Sequence, residues 1–415
     1  MPITRRGTLA LPALALAAGP AAAQGAPVKV GVLLPLTGNA ASAGNSARAA
    51  IELATELVNT PHPELASMPL MATAGLPNLG GRKLEAVFAD NQGNPSVGQN
   101  QALRLITQER VVGLTNGYQS SVALTASAVA ERYGIPYVNG ESVATNLTER
   151  GFKWFFRTTP IGPDIARVYL DFIEEQQKQG RPVGKIAIVH ENTEYGTSIA
   201  DTIAKEAEAR GRQIGLRIAY SANSADVSPQ VLQMKDAQPD VAIFISYTSD
   251  AILYMRTMRA QGYKPPILIG DDSGFSDDSF IQTVGDISQG VINRSAFDAS
   301  RPGSNSNKIN ALYKAKTGRE MDDTTARMMQ GYLVMADAIN RAGSTDPAKI
   351  QAALRATDLK PDQLMIGYRG VRFNEKGQNV LASALLVQLR GKEYVSVWPE
   401  DQASAPLELP FKGWS

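Results

Sequence analysis

Val28-Lys29-Val30-Gly31-Val32-Leu33-Leu34 is the stretch that decides the fold. It is short, rich in β-branched residues and almost wholly apolar, as a strand covered on both faces must be. A helical period follows: Ala50, Leu53, Ala54, Leu57 and Val58 share one face of a helix near Ala47–Asn59. The pair then repeats. Lys83–Ala89 reads as a second strand, and Asn94-Pro95 puts a cap and a first-turn proline ahead of the next helix. Val111–Thr115 is a strand, Val122–Arg132 a helix and Pro136–Asn139 another strand. After Pro160 the alternation restarts, with strands at Lys185–His190, Gly215–Tyr220, Val241–Ser246 and Ile267–Gly270. Helices near Thr197–Arg210, Gln230–Asp236 and Ala251–Gln261 separate them. Two such runs predict an α/β chain with two doubly wound parallel-sheet lobes. Residues 305–357 are expected to be mostly helical, and 366–397 to return to strands and turns.

The N-terminus reads as an address. Arg5 and Arg6 precede an apolar run from Leu9 to Ala18 that ends at Ala21-Ala22-Ala23. A basic start, a short apolar core and a small-residue cleavage site make a secretory signal over residues 1–23, used by the general or the twin-arginine route. The core is too short to span a bilayer, and no later apolar stretch is long enough. A periplasmic product that is not membrane-embedded is expected. Without the two signal arginines, 39 basic residues stand against 40 acidic ones. That balance leaves no electrostatic footprint for nucleic acid or anionic lipid. With no cysteine, stability must come from buried cores, and the length calls for two domains in an expected monomer. Thr60 to Arg82, with four prolines and three glycines, argues against regular structure. It is either an ornament on the first lobe, a lip over the cleft or a partner contact.

Catalytic chemistry is poorly supplied. His62 and His190 are the two histidines, too few for a zinc site, and no nucleophile elbow, phosphate loop or dinucleotide fingerprint occurs. The acidic run Asp271 to Asp278 lacks the ligand spacing of a calcium loop. No metal, no cofactor and no enzymatic activity are expected. His190, at a strand end, reads as structural before it reads as a general base.

Binding chemistry is better supplied. Thr115-Asn116-Gly117-Tyr118-Gln119-Ser120-Ser121 joins a strand to a helix. Free N–H groups and the dipole at that helix start favour an anion, and Ser120 and Ser121 add donors, although either serine equally serves as a plain cap. Asn139-Gly140-Glu141-Ser142 follows the next strand, at the sheet edge where such folds bind ligands. Tyr195 and Tyr247 hold similar positions in the second lobe, as binding walls or as core aromatics, and Asp272 ends a further strand. A desolvated carboxylate there needs a cation, which a ligand ammonium supplies.

The chain resembles the branched-chain amino acid (Leu/Ile/Val) binding proteins of ABC transporters, type I periplasmic binding proteins, from about Val28 to about Leu389. The resemblance rests on Val30 to Gly38, Ser120-Ser121, Asn146 to Phe152, Phe156-Arg157-Thr158, Ala187 to His190 with Tyr195-Gly196, and Gly270-Asp271-Asp272. It implies that Ser120 takes a ligand carboxylate, that the segment around Ser142 adds contacts, and that Tyr195 and Tyr247 wall the pocket. Asp272 is implied to take the ammonium. Val143 stands where a ligand-binding Thr is usual, and Ala43 where an aromatic often stacks. The resemblance further implies three crossings between lobes, placed near Thr159, Ser295 and Leu364. Lobe I then holds 28–159 and 296–364, lobe II holds 160–295 and 365–400, and 401–415 form a tail. The implied function is capture of an amino acid and delivery to the permease subunits of an ABC importer. A carboxylate lacking an amine, or a periplasmic sensing role, is the alternative.

Overall fold

The computed structural model describes residues 25–414, so the signal reading of 1–23 lies outside the described residues. The opening strand, β1 (Val28–Leu34), is the second strand of a five-stranded parallel sheet. It pairs on one side with β2 (Leu84–Asp90) and on the other with β3 (Gly113–Asn116). β4 (Tyr137–Asn139) and β5 (Phe155–Arg157) complete the sheet. Helix α1 (Ala41–Asn59) buries Ala47, Ala50, Ile51, Ala54, Leu57 and Val58, the face its periodicity implied. Helices α2 (Pro95–Thr107) and α3 (Ser120–Tyr133) follow as the intervening crossovers, with Asn94 accepting from Ser96 N and Val97 N as the expected cap.

The second lobe opens with α4 (Gly162–Lys178) and carries β6 (Ile186–Glu191), β7 (Ile214–Tyr220), β8 (Val241–Ile245), β9 (Ile267–Gly270) and β10 (Ile292–Ser295), all parallel. Between them lie α5 (Glu194–Ala209), α6 (Ser228–Ala237), α7 (Thr248–Ala260) and the short α8 (Ser273–Ser276) and α9 (Asp278–Val284). The chain then returns to the first lobe for α10 (Asn305–Thr317), α11 (Asp323–Ala342) and α12 (Pro347–Arg355). α11 is buried from Asp323 to Ile339 and lies against α1, β3 and β4. A two-residue ribbon, β11 (Asp358–Leu359) with β12 (Val371–Arg372), precedes β13 (Leu385–Arg390) and β14 (Glu393–Trp398). β13 extends the second sheet antiparallel to β10, and β14 pairs antiparallel with β13 at its edge.

The lobes are therefore two doubly wound sheets joined by three crossings. The first spans Thr158–Ile161, and the second follows Ser295, because Ala296 and Phe297 already belong to the first core. The third lies beyond Asn379, not near Leu364. Leu364, Met365, Ile366, Tyr368, Val371 and Phe373 all pack in the first core, so 365–379 belong with lobe I. Residues 401–414 are no loose tail: Leu407, Leu409, Phe411 and Trp414 pack against the second lobe. The crossings are tied together at Arg157. Its guanidinium donates to Gln378 Oε1 (2.7 Å), to Ala144 O (2.6 Å) and to Thr148 Oγ1 (2.8 Å), and Asn379 Nδ2 donates to Thr158 O at 3.0 Å. The Pro-rich segment holds two 3-10 turns, Pro63–Leu65 and Pro77–Leu79, against the expectation of no regular structure. Leu65, Met68, Met71 and Leu76 anchor it in the first core, and Asn78 N donates to Asn340 Oδ1 of α11.

Candidate functional site

The carboxyl ends of both sheets face one another, and the lobes enclose a cavity of about 10 Å³ there. Such a space admits about one water. Tyr118, Ser120, Glu141, Ser142 and Val143 line it from the first lobe. Tyr195, Tyr247, Asp272, Ser273 and Arg294 line it from the second. Five of the six residues singled out in the sequence thus meet at one place. Ser121 does not: it is partly exposed and is not part of that lining. A larger crevice of about 610 Å³ opens alongside, between α10, the start of α11 and β14, and reaches Asn293 and Asp323.

Ser120 is the first residue of α3, two residues earlier than the apolar pattern suggested, and the N-cap Gln119 makes no side-chain cap. Tyr118 owes its place in the wall to backbone geometry. Asn116, Gly117 and Tyr118 all have positive φ (70°, 128° and 63°), which turns the segment over the end of β3. Asn139 folds the next segment: its Oδ1 accepts from Glu141 N (2.8 Å) and Ser142 N (2.9 Å), and Ser142 Oγ donates to Tyr118 O at 2.9 Å. Gly140 is required by packing. A Cβ there would stand 2.4 Å from Arg327 O, and Gly331 is its close neighbour on α11.

In the second lobe Tyr195 belongs to the first turn of α5 and donates to Asp271 Oδ2 at 2.8 Å. Tyr247 caps α7, with its ring centroid 5.3 Å from Tyr195 and 5.7 Å from Tyr118 across the gap. The hydroxyls of Tyr118 and Tyr247 are buried without a formed hydrogen bond, although Thr248 and Thr193 lie nearby. Burial raises both phenols far above their ordinary range. Asp272 adopts φ 53° and ψ −122°, a strained conformation for a non-glycine residue. It is held by Asn293 Oδ1, which accepts from its N–H at 2.7 Å, and by its own side chain.

That side chain is the centre of a buried ion network which sequence reasoning missed. Arg294 of β10 donates to Asp271 Oδ1 (3.0 Å) and Asp272 Oδ2 (3.1 Å). Arg327 of α11 crosses from the first lobe to Asp272, and also meets Asp323 Oδ2 (2.8 Å) and Glu141 Oε1 (3.1 Å). Ser276 Oγ (2.7 Å) and Thr324 Oγ1 (3.3 Å) complete the donors to Asp272 Oδ1. Four carboxylates, those of Glu141, Asp271, Asp272 and Asp323, surround two guanidinium groups. Burial outweighs the pull of Arg327 and holds the Glu141 carboxyl up at about 7. It does the same for Asp323, also at about 7, against Arg294. Only the Asp323–Arg327 spacing of four on a helix hinted at this network in the sequence. His190 is buried, bonded to Glu191 O (2.9 Å) and to Arg217, and does not reach the cavity. Val143 lines the cavity, while Ala43 is packed inside α1.

Comparison with known proteins agrees with this architecture. The family model described as periplasmic binding protein matches residues 27–393. The chain belongs to that family. Among its curated relatives is the Leu/Ile/Val-binding protein homolog 7 of Brucella abortus, 31% identical over 97% of this chain and 98% of that protein. Among solved structures, the branched-chain amino acid transporter substrate binding protein LivJ of Streptococcus pneumoniae, in complex with isoleucine, has a TM-score of 0.75. It is 18% identical, over 92% of this chain and 100% of that one. A solute binding protein of an ABC transporter from Rhodopseudomonas palustris, in complex with 3,4-dihydroxy benzoic acid, has a TM-score of 0.73. It is 20% identical, over 89% of this periplasmic binding protein and 95% of its own chain. The fold is that of a type I periplasmic binding protein.

Proposed function

We propose that this periplasmic binding protein captures an amino acid between its lobes and delivers it to the permease of an ABC importer. The observation that carries the reading is the pairing of opposite chemistries around one inter-lobe cavity. Ser120 at the start of α3 and the Ser142 turn stand beside a network drawn from both lobes, in which four carboxylates outnumber two guanidinium groups. A ligand carboxylate suits the helix start. A ligand ammonium offsets part of the uncompensated negative charge, whose burial is otherwise costly. A carboxylate with no amine, the class bound by the Rhodopseudomonas neighbour, would leave that excess in place, and the amino-acid reading is preferred for this reason. Export to the periplasm, Leu/Ile/Val-type ligands and a permease partner fit the named relatives.

The energetics permit such a cycle. Moving closure from rare to dominant needs about 5.5 kcal/mol of differential binding, and a micromolar ligand provides about 8 kcal/mol in total. The test is a thermal-shift screen of the mature chain against the twenty amino acids and a set of aromatic and aliphatic acids. A ligand at about 100 times its Kd adds about 2.7 kcal/mol of apparent stability. At least one amino acid is expected to raise the melting temperature. Stabilisation by amine-free acids alone would overturn the reading.

A further inference from the structure

Resting on the amino-acid reading, we infer that Glu141, not Asp272, receives the ligand's ammonium group, and that Asp272 is a positioning residue that orients the two arginines. The hydrogen bonding of the two carboxylates separates them. Asp272 accepts from Ser276 Oγ and Thr324 Oγ1 on one oxygen and from Arg294 on the other, where Arg327 is also in contact. Parting the lobes removes Thr324 and Arg327, which belong to the first lobe. Ser276 and Arg294 share the lobe of Asp272 and stay with it. Its oxygens are therefore occupied, one of them by a cation, whatever the separation of the lobes.

Glu141 is differently placed. It is 3% exposed and lines the cavity, yet among the described residues its carboxylate has one hydrogen-bond donor, Arg327 Nη2, from which Oε1 accepts at 3.1 Å. Oε2 lies 2.9 Å from the same nitrogen and receives no well-formed hydrogen bond. Arg327 is shared with Asp323, so the first lobe alone holds two carboxylates for one guanidinium. A second buried group points the same way. Arg294 is 1% exposed and lines the cavity, with Nε and Nη2 fixed by Asp271 and Asp272 while Nη1 has no hydrogen-bond partner among the described residues. One under-used acceptor and one unused cationic donor on facing walls match the two ends of a zwitterion. Glu141 sits beside Ser142 and across from Ser120 on the same lobe, so the first lobe reads both α-groups and the second lobe closes over them with Arg294.

The experiment is calorimetric titration of the full mature chain, its E141Q and its D272N variants. The probes are L-leucine, the tightest amino acid of the thermal screen, and the des-amino acid of each (4-methylpentanoate for leucine). The wild type is expected to prefer the amino acid over its des-amino partner. E141Q is expected to lose roughly 10–100-fold on the amino acid and little on the des-amino acid, so that its preference collapses. Retained des-amino binding shows that the variant's site is folded; an E141D variant, with charge kept but reach shortened, should recover part of the preference. D272N is expected to weaken both probes alike. If D272N erases the preference and E141Q keeps it, the assignment is wrong. A wild type that binds no amino acid sinks the underlying reading instead, and that outcome is visible before any variant is made.

Discussion

At the scale of single residues, the site is a problem in buried charge. Glu141 and Asp323 sit among Arg294, Arg327, Asp272 and Asp322, and burial lifts both to about 7 from the ordinary carboxylate range. The folded chain thus holds these protons more tightly than the unfolded chain. Their contribution to stability is complete below the unfolded values and is lost as pH rises through about 7. Scanning calorimetry without added ligand should show the melting temperature falling between pH 5 and pH 8, with a shallower fall in E141Q. An unchanged slope in that variant would mean that Glu141 is ionised throughout. Ser120, Ser142, Tyr195, Tyr247 and Asp272 were legible in the sequence because each follows a strand at the binding edge of its sheet. Arg327 was not. It comes from a helix distant in the chain, and its spacing of four from Asp323 marks a partner on the same helix, not a target in the other lobe.

At the scale of elements, the sequence placed most strands to within two residues but started most helices late. α3, α5 and α7 begin two to three residues before their apolar periodicity does. The reason is physical: those first turns hold the polar Ser120 and Thr248, and Tyr195, whose ring reaches the cavity lining from the core, so the apolar period starts after them. The third crossing, which the resemblance implied near Leu364, lies later in the chain because Leu364–Phe373 return to the first core. The contact of α11 with the end of β4 decides where Arg327 and Glu141 stand, and Gly140 against Gly331 sets its spacing. G140A should therefore cost roughly 1–3 kcal/mol, the usual penalty of overpacking, and weaken ligand binding beyond that loss of stability. Urea unfolding beside titration would separate the two effects; wild-type stability in G140A would show that α11 has room to move.

At the scale of the whole molecule, closure is held by contacts made directly between the lobes. Arg327 meets Asp272, Ser42 Oγ donates to Asp277 Oδ1 at 2.9 Å, and Thr145 N donates to Ser198 Oγ at 3.0 Å. The buried ion pair outweighs the other two, since removing one partner of such a pair costs about 3–5 kcal/mol. R327Q, purified and measured by small-angle scattering without added ligand, should show a larger radius of gyration than the wild type. Equal radii would mean that the hinge, not the ion pair, sets the resting separation. The tyrosines offer a way to watch that movement without labels. Trp154, Trp398 and Trp414 are not part of the cavity lining, whereas Tyr118 in one lobe packs at a tilt of 43° against Tyr247 in the other, and Tyr247 at 44° against Tyr195. Coupled phenol rings in a fixed chiral arrangement give a near-ultraviolet dichroism signal, and separating Tyr118 from its neighbour uncouples it, so the molecule carries its own optical gauge of how far it has opened.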